Sequence, residues 1–306
     1  MNSDQISVDD MDDPLVVVYE GRSRAACFER ALVLRALDIE HVVVANPTGF
    51  ALAVEAADAA AAREQIDLYV AENAGWPPRI AQFKPRSNGV KAAALYAVTL
   101  VFFAWMQNNG PLGLEWYNAG KTNAGLIRDG EWWRTITALT LHLDVGHLAG
   151  NLVIGAFFGL MASELMGAGL AWLTIVVAGA LGNGLNAMVQ PDYHTSVGAS
   201  TAVFAALGLS STYAWVMRAG HRAAFRWAPV VAGAVLLTFF GVGGERTDVV
   251  AHLTGFCAGA GMGLLYGYGG DRFVIGAAGQ SRLGAAAFAV LAVGWFYALS
   301  SAANAL

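Results

Sequence analysis

The stretch Thr195–Gly208, TSVGASTAVFAALG, sets a Gly-Ala-Ser group where a long apolar helix should begin. Two readings compete for it. Small residues let membrane helices approach closely, and a serine hydroxyl in such a helix can bond its own backbone. Alternatively, the first turn of a helix leaves backbone N–H groups unpaired and aimed at whatever lies before it, which suits an anion or a developing oxyanion. The stretch alone fits both packing and chemistry, and the choice rests on what the rest of the chain supplies.

The surroundings are those of a polytopic membrane protein. Across 306 residues the mean hydropathy is +0.49, with 56% hydrophobic and 13% charged residues, about half the charge of an ordinary soluble domain. Charge is concentrated before residue 86, and apolar runs follow one another from Ala92 onward. A small soluble domain over residues 1–75, a linker over 76–90 carrying Pro77, Pro78 and Pro85, and a membrane region from 91 onward are therefore expected. The start, MNSDQISVDDMDD, is acidic where a signal peptide needs a basic and then an apolar segment, so the front domain is expected in the cytoplasm. Cys27 and Cys257 fall in different regions without metal-ligand neighbours, which argues against a disulfide or a metal site. A net charge of -5 argues against a nucleic-acid partner.

In the front domain, Leu15–Tyr19 reads as a strand and 23–37 as a helix with apolar spacing. His41–Ala45 and Phe50–Val54 read as strands joined by the turn Asn46-Pro47-Thr48-Gly49, with a last helix over about 57–72. This α+β module, β-α-β-β-α, holds no cluster of nucleophile, base or ligand and reads as regulatory or anchoring. Seven apolar runs follow, at about 91–107, 147–166, 169–189, 199–217, 226–242, 249–268 and 282–302, each near the ~20 residues that cross a bilayer as a helix. Arg79, Lys84, Arg86 and Lys91 before the first run mark the cytoplasmic side, as do Arg218, Arg222, Arg226, Arg272 and Arg282. The opposite loops balance Lys121, Arg128, Arg134 and Arg246 with acidic residues such as Glu115, Asp144 and Asp248. Spans two, four and six then all enter from the outside, and their first turns lie at similar depth.

Those first turns carry polar groups. Span two opens with His147 and Asn151, whose spacing puts both on one helical face. Span four opens with Gly198-Ala199-Ser200, and span six carries His252 within its apolar run, where an ionisable side chain is costly and functional by default. His142 and His194 read as wetted by headgroups or as supporting residues. Asn151 can also serve simply as a bond between helices. As chemistry, Ser200 needs a base, His252 is the candidate, and N–H groups near Ala199 and Ser200 can hold an oxyanion, with His147 and Asn151 as further donors. Gly255, Gly259 and Gly263 recur every fourth residue, so span six can lie close against span four. Asp248 precedes His252 on the same helix and reads as a membrane-edge residue, which leaves a dyad.

Together, Glu131-Trp132-Trp133-Arg134 with Thr137, His142 with His147 and Asn151, Gly198-Ala199-Ser200, and Ala251-His252 with Gly255 resemble the rhomboid intramembrane serine proteases in residue type and order. The resemblance implies a six-helix protease core over 91–269 and an additional C-terminal transmembrane helix over 270–306. It implies a Ser200/His252 dyad with His147, Asn151 and the Ala199–Ser200 backbone around the oxyanion, and hydrolysis in or near transmembrane helices of membrane-protein substrates, without metal or cofactor. It also implies that the loop 107–146 lies partly in the outer leaflet, with Trp132 and Trp133 as interfacial anchors and Arg134 bonding within it. The front module is similar to the cytoplasmic domain of some bacterial members, which suggests a plasma (inner) membrane protein whose active site opens to the extracytoplasmic side. Two positions depart from the family pattern: Thr201 follows the serine where many members have glycine, and Phe204 stands where a tyrosine often stacks on the histidine. Two other readings remain, a catalytically silent relative that binds transmembrane segments and a small transporter or channel. The first is disfavoured by the joint presence of Ser200 and His252, the second by polar residues collecting on one side.

Overall fold

The computed structural model describes residues 14–74, 85–241 and 247–304. The acidic start, the linker through residue 84, and Glu245 and Arg246 lie outside them. The chain divides into two compact units, 1–83 and 84–306.

In the first unit β1 (Leu15–Gly21), α1 (Arg24–Arg35), β2 (His41–Asn46), β3 (Gly49–Glu55) and α2 (Ala59–Glu72) follow in the expected order. Asn46 Oδ1 accepts the Thr48 N–H at 3.1 Å, the side-chain mimicry of a turn that asparagine offers, and β2 returns antiparallel as β3. The other edge of β3 pairs antiparallel with β1, so the sheet order is β1-β3-β2. Leu52 and Val54, two residues apart and therefore on one face, are fully buried with Ala31 and Leu34 of α1 and Ala62 and Ile66 of α2.

The second unit is helical: α3 (Val90–Asn109), the short α4 (Trp116–Gly120), α5 (Ala124–Arg128) and α6 (Arg134–Thr137), then α7 (Val145–Met166), α8 (Ala168–Val189), α9 (Ser200–Met217), α10 (Ala223–Gly241), α11 (Val249–Gly269) and α12 (Ala277–Asn304). All seven expected apolar runs are helices. Among the described residues α3, α7, α8, α11 and α12 are long and apolar enough to cross a membrane by length and composition. This is a multi-pass membrane protein.

Helix α9 falls short of that criterion because of where it sits. Its 18 residues reach about 27 Å at ~1.5 Å per residue, but protein surrounds it, and every residue from Thr201 to Ser211 is buried. Two of its lower hydroxyls are satisfied internally: Ser211 Oγ donates to Leu207 O at 2.8 Å and Thr212 Oγ1 to Ala260 O at 2.8 Å.

The most extensive helix contact in the unit joins α9 and α11, and glycine makes it. A Cβ on Gly255 would collide with Thr201 O, one on Gly259 with Ala205 O, and one on Gly263 with Leu209 O. The two ladders climb together in steps of four, so the helices run parallel and their first turns lie side by side. The loop between α3 and α7 is fastened to α12 through aromatic rings. Trp295 of α12 stacks on Phe103 (5.0 Å, 12°), packs against Trp116 (5.1 Å) and donates Nε1–H to Thr140 Oγ1 at 3.1 Å.

Candidate active site

The first turns of α7, α9 and α11 converge on one cavity of about 870 Å³, lined by His147, Asn151, Ser200, Phe204 and His252 together with Gly198, His194 and Asp248. Helix capping fixes two of the three entries. Asp144 Oδ1 accepts the His147 N–H at 2.8 Å to open α7, and Asp248 Oδ1 accepts the Ala251 N–H at 3.0 Å to open α11. The third entry is made by backbone shape. Gly198 has φ +138°, a conformation side chains resist, and a Cβ there would meet the His147 ring at 2.7 Å and Ser200 Oγ at 3.5 Å. Its N–H bonds Ala138 O at 3.0 Å, Ala199 is the buried N-cap residue, and Ser200 begins α9. The Ser200 N–H thus belongs to the first turn, whose donors have no helical partner.

The facing helix brings donors. His147 Nδ1 accepts a long bond, 3.5 Å, from the Leu143 N–H, a role that leaves the proton on Nε2, and Cε1 and Nε2 are the ring atoms packed against Gly198. Asn151 is buried, its Nδ2 donating to His147 O at 3.0 Å, and its backbone carbonyl accepts the Tyr96 hydroxyl at 2.7 Å. One of the two amide protons of Asn151 is thereby placed, and the other remains for the cavity that this side chain lines. Opposite them, the buried His252 ring lies against the buried Phe204 ring with centroids 4.4 Å apart and planes tilted by 35°. An aromatic face at that distance orients an imidazole without taking either nitrogen.

The supporting residues lie around this centre. Arg134 donates to Glu131 at 2.5 Å and to the carbonyls of Asn118 and Lys121 at 2.9 Å, and Thr137 Oγ1 donates to Gly120 O at 2.7 Å, which closes the loop on itself. Trp133 stacks on Tyr297 of α12 (6.0 Å, 16°), while Trp132 is 43% exposed. His142 is buried edge-on to His147 at 5.2 Å, and its backbone is clamped by Gln107, whose Nε2 donates to His142 O at 2.8 Å. Burial, with the neighbouring His147 in second place, pushes the His142 imidazole down to about 4. Gly255 and Gly259 sit at the α9 contact described above.

One feature escapes sequence reasoning. Asp248 is held by two side chains from outside its own helix. Its Oδ2 accepts from His194 Nε2 at 2.7 Å and from Asn186 Nδ2 at 2.7 Å. Burial raises its pKa, but the hydrogen bonds from Ala251, His194 and Asn186 outweigh it and hold the carboxyl below its usual value. The local signal was an aspartate at a helix N-cap; its partners lie 54 and 62 positions away.

Comparison with known proteins covers the same part of the chain. Residues 129–269 match the family model described as the rhomboid domain. The chain is 29% identical over 209 residues to the rhomboid protease GluP of Bacillus subtilis, covering 65% of this chain and 38% of that one. To the putative rhomboid protease YdcA of Bacillus subtilis it is 29% identical over 174 residues, covering 54% and 81%. To rhomboid-like protease 2 of Toxoplasma gondii it is 33% identical over 141 residues, covering 45% and 49%. The matched span encloses the cavity's Ser200, His252, His147 and Asn151, and the chain carries a rhomboid domain over residues 129–269.

Proposed function

We propose that this chain is an intramembrane serine endopeptidase that hydrolyses peptide bonds in or near transmembrane helices of membrane-protein substrates. The observation that carries the reading is the placement of Ser200 and His252 along one cavity, with Phe204 against the imidazole and His147 and Asn151 across from it. Ser200 Oγ attacks the scissile carbonyl as a neutral His252 takes its proton, and the same imidazole returns the proton to the leaving amine. The tetrahedral oxyanion is held by the Ser200 N–H and by donors from His147 and Asn151, oriented before substrate arrives. Water, activated by His252, then releases the acyl-enzyme, which requires a wet cavity. The partly exposed Ser200 and the polar lining of this one fit that need.

The bilayer and transmembrane-helix proteins are the partners in this reading. The basic residues Arg86, Lys91, Arg218 and Arg222 support a cytoplasmic location for that side, by the bias of basic residues. The front unit then lies in the cytoplasm and the cavity opens to the extracytoplasmic side. The domain division follows as 1–75, linker 76–90, protease core 91–269 and an added helix over 270–306. Reaction with a fluorophosphonate, compared between the native chain and Ser200→Ala, tests the assignment. Labelling confined to the native chain supports it, and equal labelling or equal cleavage by Ser200→Ala refutes it.

A further inference from the structure

The segment between α8 and α9, which leads into Ser200, is held from two sides, and His194 is where the two holds meet. On one side is the loop between α3 and α7. The Ala124 N–H donates to His194 O at 3.0 Å, the Thr122 N–H to Ser196 O at 3.0 Å, the Gly125 N–H to Asp192 O at 3.0 Å, and Arg128 binds Asp192 and Gln190 O. On the other side is α11. The His194 imidazole meets Asp248 Oδ2 at 2.7 Å, while Asp248 Oδ1 holds the N–H of Ala251, the residue before His252. Asn186, at the end of α8, grips the same Asp248 oxygen. The His194 backbone is thus fixed to the loop and its side chain to the cap of the helix that carries the proposed base.

We infer that His194 is a positioning residue: through Asp248 it sets the first turn of α11, and with it His252, against the segment that presents Ser200. This rests on the dyad reading above. The physical argument is one of lever arms. The α9–α11 glycine contact fixes the helices from Gly255 onward, but His252 lies in the turn before the first of these glycines, where helix ends fray unless capped. Asp248 supplies the cap, and its carboxylate is itself oriented by His194 and Asn186. Removing His194 leaves Asp248 Oδ2 held by Asn186 alone, and the loosened cap lets the imidazole shift by a fraction of its reach. Misplacement by about 1 Å costs up to ~100-fold in rate. His194 also lines the cavity, so direct contact with substrate is the competing role, and that role would appear in KM.

The test uses the full chain in detergent and in liposomes, with a fluorogenic transmembrane substrate and a fluorophosphonate probe. His194→Ala is expected to lower kcat and the labelling rate about 10-fold or more with KM nearly unchanged. His194→Gln, whose amide N–H can reach Asp248, is expected to recover most of the loss. His194→Phe keeps the ring without the donor and reads the same loss should the alanine variant not fold. In the double variant with Asp248→Ala, the loss is expected to be no greater than for Asp248→Ala alone, because the two act as a unit. Folded His194→Ala and His194→Phe with native labelling rates overturn the inference, and so does a rise in KM at constant kcat. A native chain that neither labels nor cleaves refutes the dyad reading itself, a distinguishable result.

Discussion

Phe204 and His252 face one another across the α9–α11 contact with ring centroids 4.4 Å apart, and that pair ties the proposed base to the helix that begins with the proposed nucleophile. Phe204 is one turn below Ser200, so the stacked ring sets the imidazole's depth relative to the serine. Phe204→Leu, which keeps apolar bulk but removes the flat face, is expected to reduce kcat by about 10-fold while costing ~1 kcal/mol of stability. Phe204→Tyr is expected to retain activity. Initial rates alongside thermal midpoints in detergent separate the two effects.

The closeness of α9 and α11 depends on bare backbone. Gly259→Leu puts a side chain where Ala205 O already lies, and neither group is a flexible end that can give way. The expected result is a loss of at least ~1–3 kcal/mol together with cleavage, since both proposed catalytic groups ride on the helices pushed apart. Denaturant or SDS titration of the purified variant measures the first and substrate turnover the second.

Helix α12 acts as more than an appendage. Trp295→Ala removes the stack on Phe103, the packing on Trp116 and Gly120, and the bond to Thr140. A loss of about 3–5 kcal/mol is expected for so buried a ring. Because Ala138 O of the same loop accepts the Gly198 N–H, the damage is expected to reach the serine. Limited proteolysis of the loop between α3 and α7, faster in Trp295→Ala than in the native chain, checks the route.

Acid is expected to weaken the membrane unit. His142 titrates near 4 when folded and near 6.5 when exposed, so the unfolded chain binds more protons between those values and stability falls as pH drops through that window. The contribution is full above about pH 6.5 and lost below about 4, on the order of 3 kcal/mol. Asp248, held low by its hydrogen bonds, acts in the same direction as pH falls toward its folded value. Thermal midpoints from pH 7 to 4 are expected to fall less steeply for His142→Phe than for the native chain.

Local patterns made much of this legible. Strand alternation and the asparagine turn announced the front module. The every-fourth glycines announced the α11 contact, and the Gly-Ala-Ser group announced the start of α9. His147 and Asn151 could be paired because one helix carries both. What stayed hidden is tertiary. Nothing near His194 names Asp248, 54 positions on, and nothing near Thr140 names Trp295, 155 positions on. Such partners leave no period in the chain, since hydrogen bonds between elements follow from how helices dock. Helix α9 teaches the same lesson: its hydroxyls dilute the apolar signal because neighbouring helices, rather than lipid, surround it.

The most direct test is the rate of fluorophosphonate attachment to Ser200, followed by mass spectrometry of the intact chain, for the native protein, Ser200→Ala and His252→Ala. One adduct on the native chain, none on Ser200→Ala, and labelling slowed by at least about 100-fold on His252→Ala is the predicted result. Native-rate labelling of folded His252→Ala, or an adduct on Ser200→Ala, would contradict the account.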